Sequence, residues 1–167
     1  MSSRGGKAVL LALALLTIAC DRVTKQVAEL ALAGSARRSF LGDTVRLEYV
    51  QNPGAFLSLG ASLPEWARTA LFTVGAGLCL LLGMAVSARY RWRPRAALGL
   101  TLVAAGGVSN LIDRLLRGSV TDFMNLGVGT LRTGIFNVAD VAIVVGALLV
   151  VSAGERSRAD PPGCYNP

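Results

Sequence analysis

The feature that most limits what this chain can fold into is a run of apolar segments too long for a small soluble domain to bury. Residues 66–88 carry no charge beyond Arg68, and residues 96–116 and 136–153 keep their few charged side chains close to one end. A helix that crosses a bilayer needs about 20 mostly apolar residues, and each of these segments is about that long. A fourth, at the N-terminus, begins with the apolar run 8–20. It reaches spanning length if the helix continues through Asp21, Arg22 and Lys25 to residue 33. The expected fold class is an all-α membrane protein with four transmembrane helices, at about 8–33, 66–88, 96–116 and 136–153. Read alone, Leu16-Thr17-Ile18-Ala19-Cys20 hints at a lipobox at the end of a cleaved leader, but such a leader is not ordinarily followed by further spans.

Charge gives the segments a direction. Four arginines fall within residues 89–95, Arg156 and Arg158 follow the last span, and Arg4 and Lys7 precede the first. By the positive-inside rule these regions face the cytoplasm, so both termini are cytoplasmic and the connections 34–65 and 117–135 are exported. The same reasoning accounts for the net charge of +7 without nucleic acid, because the basic residues sit at the ends of apolar runs and not on one binding face. In the exported stretch, Thr44-Val45-Arg46-Leu47-Glu48-Tyr49-Val50 alternates polar and apolar residues as a half-buried strand does. Gln51-Asn52-Pro53-Gly54 supplies a turn, and a second short strand follows through residues 55–59. This predicts a small periplasmic β-sheet of residues 44–59 between the first and second spans. Residues 1–154 then form a single integral-membrane domain, and residues 155–167, which lack periodic apolar pattern, form a flexible cytoplasmic tail.

Composition narrows the chemistry. Histidine is absent, which removes the Ser-His-Asp and Cys-His systems and most zinc sites. The three cysteines, Cys20, Cys79 and Cys164, are scattered and read as small packing residues, so no metal or organic cofactor is expected. Any hydrolysis must rest on carboxylates. Asn110 and Asp113, with Arg114 beside them, share a face at the end of the third span. Asp122 follows Gly118, which permits a chain reversal. Asn137 and Asp140 share a face at the start of the fourth span, where small Ala139 lets another element approach. Three aspartates therefore gather at one membrane face. Two carboxylates sharing a site away from bulk water split their pKa values, so one holds a proton while the other is ionised, and that split is what water-activating aspartic proteolysis uses.

Plainer readings stand beside this one. Asp140 also reads as a charge that suits a helix start, and Asp113 as an ion pair with Arg114. Asp21 and Lys25, one turn apart, read as a surface ion pair with Lys25 snorkelling, or as residues that orient the site. A proton-coupled transporter and a non-enzymatic scaffold use the same residue types. The transporter needs polar groups at several depths of the membrane, and the second span, residues 66–88, has no charged group apart from Arg68 at its end.

The motifs Asp21-Arg22-Val23-Thr24-Lys25, Asn52-Pro53-Gly54-Ala55-Phe56, Asn110-Leu111-Ile112-Asp113-Arg114 with Gly118, Val120, Asp122 and Phe123, and Phe136-Asn137-Val138-Ala139-Asp140 occur in this order on the four segments. Together they resemble the lipoprotein signal peptidase (signal peptidase II) family over nearly all of residues 8–151. The resemblance implies an inner-membrane aspartic endopeptidase with Asp122 and Asp140 as its catalytic dyad. Asn110, Asp113, Arg114 and Asn137 would support the dyad or hold the substrate backbone, with Asp21 and Asn52 at the mouth of the site and Lys25, Gly54 and Ala139 as supporting positions. It also implies diacylglyceryl-modified prolipoproteins as substrates, cut on the amino side of the lipidated cysteine near the periplasmic face, membrane lipids as surroundings, globomycin as inhibitor and a monomeric enzyme. The chain departs from the family pattern at residues 55–57 and in glycine-rich 127–134, where a mobile lid is expected.

Overall fold

In the computed structural model, residues 4–54, 62–87, 89–90 and 92–153 of the 167 are described. Helix α1 (Arg4–Leu32) buries Asp21, Lys25, Ala28 and Leu32. Their spacing of four, three and four residues draws one stripe along the helix, and most of the remaining surface is exposed. A continuous helix Glu65–Ser87 follows, made of α2 (Glu65–Arg68), a π-helical stretch (Thr69–Gly75) and α3 (Ala76–Ser87). Helix α4 (Pro94–Arg117) starts with proline, whose missing N–H costs nothing in the first turn, and ends at Gly118 with φ of 70°. Helix α5 (Val138–Ser152) completes the set. Glu65–Ser87 and Pro94–Arg117 are long and apolar enough to cross a bilayer, while Val138–Ser152 is apolar but shorter.

Helices α4 and α5 approach closely because the residues between them are small. A Cβ built on Gly99 would lie 2.5 Å from the Gly146 carbonyl oxygen, and one on Gly146 would lie 2.5 Å from that of Gly99. The buried residues of α4, among them Ala96, Gly99, Gly106, Ser109, Asn110 and Asp113, continue this seam from the glycine crossing to the polar end of the helix.

The sheet differs from the expected one. Strands β1 (Arg38–Phe40), β2 (Val45–Asn52), β3 (Val120–Val128) and β4 (Leu131–Arg132) pair antiparallel in the order β1-β2-β3-β4. The molecule is therefore not all-α with a sheet confined to residues 44–59, because two of the four strands among the described residues come from the connection between α4 and α5. Val50 pairs with Asp122 and Asn52 with Val120, past an irregularity between Leu47 and Val50. The expected strand over 55–59 and the tail 155–167 lie outside the described residues. Ala28, Leu32 and Phe123 form a small core between α1 and the sheet, with Leu47, Tyr49, Met124 and Val138 packed around it.

Residues 127–134 contain a hairpin where a lid was expected. Gly127 N–H donates to Thr44 O (3.0 Å), Thr133 N–H to Leu126 O (2.7 Å), and the Arg132 guanidinium to Asp43 O (2.7 Å). A Cβ on Gly127 would come within 2.6 Å of Arg132 Cα, so the glycine admits β4.

Candidate active site

The polar ends of α1, α4 and α5 meet β2 and β3 in one network. Asp122, in β3 and 3% exposed, receives hydrogen bonds on both carboxylate oxygens, from the Asn137 amide (2.7 Å) and the Asn52 amide (2.9 Å). Asn52 is fixed in turn, its side-chain carbonyl accepting from Gly54 N–H (2.9 Å). Asp140 occupies the first turn of α5. One of its oxygens accepts from the Asn110 amide (2.9 Å) and the other from Asn137 N–H (3.2 Å). Asn137, fully buried, caps α5 by accepting from Asp140 N–H (2.9 Å), a reciprocal capping box. The two carboxylates thus come from a strand and a helix and share one asparagine.

A second layer holds the first. Lys25 Nζ donates to Asn110 (2.8 Å), Asp21 (2.8 Å) and Asp113 (2.9 Å), which occupies all three of its N–H donors. Asp21, with no exposed surface, accepts from Ser109 (2.7 Å) and from the backbone N–H of Ala139 (2.8 Å). It caps α5 from another helix, and the negative charge suits that helix terminus. Asp113 pairs with Lys25 and Arg22 and accepts from Thr121 N–H (3.4 Å). Arg114 donates to Gly54 O (2.9 Å), while its buried Nε has no partner among the described residues. Among the described residues, no cluster of three or more Cys, Asp or Glu is arranged to hold a metal ion.

Three expectations are corrected. Lys25 does not snorkel: it is 4% exposed, because three acceptors hold the ammonium inside. Asp113 pairs with Arg22 and Lys25 instead of Arg114, because neighbouring residues on a helix point about 100° apart. Asp21 and Asn52 do not stand at a mouth, since both are buried in the network. Ser109 and Thr121 belong to it too; a hydroxyl one residue before Asn110 within an apolar run is the sequence signal for the former.

Burial away from water pushes the Asp122 carboxyl from the ordinary 3.8 up to about 6. The amide hydrogen bond from Asn52 opposes the rise, the nearby negative charge of Asp140 adds to it, and Asn137 and Lys25 pull it down. Asp140 and Arg114 line a cavity of about 380 Å3 whose other walls include Phe72, Leu80, Leu111 and Ile143. Asp140, one of the two carboxylates, therefore stands at a largely apolar chamber formed by α3, α4, α5 and the π-helical stretch.

Fold and site together define a helical membrane protein with two carboxylates joined by an asparagine at one end of its bundle. The sequence model of the family described as signal peptidase (SPase) II matches residues 13–154, and the chain belongs to that peptidase family. It is 35% identical to the lipoprotein signal peptidase of Moorella thermoacetica over 157 residues, covering 89% of this chain and 97% of the relative. With the lipoprotein signal peptidase of Burkholderia mallei it shares 33% identity over 150 residues, covering 90% and 89%. A solved structure of a bacterial membrane enzyme superposes with a TM-score of 0.74 at 21% identity, covering 87% of each chain, and shows the same fold.

Proposed function

We propose that this chain is the aspartic endopeptidase that removes signal peptides from diacylglyceryl-modified prolipoproteins on the amino side of the lipidated cysteine. The relatives' shared name supports the substrate class. The observation that carries the mechanism is the joint hold of Asn137 on Asp122 and Asp140. With one proton between them, the ionised carboxylate takes a proton from water as the water oxygen bonds to the scissile carbonyl carbon. The protonated partner donates to the carbonyl oxygen. Collapse of the tetrahedral intermediate breaks the C–N bond, and the amine leaves with a proton returned from the dyad.

The largely apolar chamber beside Asp140 suits an apolar part of the substrate next to the scissile bond. In this reading the protein is a monomer with four spans in the bacterial inner membrane, and the polar ends of α1, α4 and α5 carry the network. Both termini are cytoplasmic and the carboxylates lie near the periplasmic face, as the arginines of residues 89–95 favour. A gel-shift assay on a diacylated prolipoprotein tests it. Wild type cuts the substrate and globomycin blocks the cut, whereas Asp122→Asn and Asp140→Asn insert normally and leave it whole. Wild-type turnover by either variant would refute the dyad.

A further inference from the structure

A second cavity, of about 420 Å3, opens between α1 and α4, and Asp140 and Arg114 do not line it. Arg22, Gln26 and Glu29 line it from α1 and Arg117 from the end of α4, with Lys25 and Asp113 among the deeper residues. Three cations face two carboxylates there. Lys25 is fully committed, but the two arginines are not. Among the described residues Arg22 donates only from one terminal nitrogen, to Asp113, and Arg117 only from one, to Glu29 at 2.7 Å. Each guanidinium keeps its other N–H donors for a ligand, and their planar fork matches phosphate oxygens.

The surroundings select the form of the anion. Val23, Val27 and Leu30 are exposed, and each follows Arg22, Gln26 and Glu29 by one residue. An apolar stripe therefore runs along α1 directly beside the charged one, and Leu30 lines the cavity itself. Leu115 and Leu116 are exposed on the α4 side. Arg117 ends a helix of 24 residues, about 36 Å long at 1.5 Å per residue, which places it at headgroup level when α4 spans the bilayer. We infer that this recess binds the phosphate of an anionic phospholipid, its acyl chains lying against the stripe on α1. The inference rests on the membrane placement and is independent of the dyad.

Native mass spectrometry of the detergent-solubilised protein with phosphatidylglycerol, phosphatidylcholine or inorganic phosphate tests it without reference to cleavage. Wild type should retain phosphatidylglycerol, retain phosphatidylcholine less, and lose no lipid to millimolar phosphate. The double substitution Arg22→Gln with Arg117→Gln should weaken retention about tenfold. Glu29→Gln removes the carboxylate that competes for Arg117 and should strengthen it about fivefold; that gain cannot come from misfolding. Equal retention of the two lipids, displacement by inorganic phosphate, unchanged binding in the double variant, or no gain from Glu29→Gln would each overturn the site.

Discussion

The sheet-bearing ends of α1, α4 and α5 are held in a way that helix Glu65–Ser87 is not. At those ends nearly every polar atom has a partner, and Asp21, Ser109, Asp113 and Asn137 are buried almost completely. Helix Glu65–Ser87 buries no residue and exposes Leu71, Val74, Leu78, Leu81, Leu82 and Met84. Yet Phe72, Ala76 and Leu80 from this lightly packed helix form one wall of the chamber beside Asp140. The two carboxylates are pinned by directional bonds, while the wall of the chamber beside Asp140 is apolar. Under the proposed mechanism, this division would place two carboxylates accurately and still admit varied apolar sequences.

The largest stability effect should come from removing the cross-helix cap. Asp21→Ala leaves buried Lys25 short of one carboxylate and Ala139 N–H unsatisfied, and should cost about 3–5 kcal/mol in unfolding measured in detergent. A loss under about 1 kcal/mol would break the contrast between the two regions. Gly146→Val should cost about 1–3 kcal/mol, because the new side chain meets the Gly99 carbonyl and pushes α5 from α4. It should also lower cleavage, since Asn110 and Asp140 sit on those two helices.

The third effect is on pH dependence. Asp122 titrates near about 6 in the fold against 3.8 ordinarily, so its ionisation opposes folding. The stability it contributes is full below about 3.8 and is lost as pH rises through about 6. Where the dyad needs its proton, cleavage falls over the same upper range. Asn52 donates to the ionised carboxylate, so Asn52→Leu should move the alkaline limb of the pH–rate profile to higher pH by about one unit. A shift downward would contradict the assigned hydrogen bond. Smallest of all, Leu81→Ala should leave unfolding within about 0.5 kcal/mol of wild type, because Leu81 is exposed and contributes little packing.

Most residues of the buried polar network, Ser109 and Thr121 apart, stood out in the sequence; their arrangement did so only in part. The asparagine and aspartate pairs at 110/113 and 137/140 stand out because polar residues at helical spacing interrupt apolar runs. Strand β3 did not stand out. Residues 120–123 are covered on both faces, so they lack the alternation that marked β2. The glycines of 127–134 gave no sign of a strand, although Gly127 lets β4 pack. The partner of Asp113 could not be read from its neighbour, since Lys25 and Arg22 reach it from a helix some 90 residues away. Long-range pairing of this kind leaves no local pattern.

The claim on which the rest depends is that Asp122 and Asp140 act as one unit, and a double-mutant cycle on cleavage of a diacylated prolipoprotein tests it most directly. Asp122→Asn and Asp140→Asn should each slow turnover by about a thousandfold or more, and the double variant should be no slower than either. Losses that multiply, or near-normal turnover by one variant, would mean that the two carboxylates work apart.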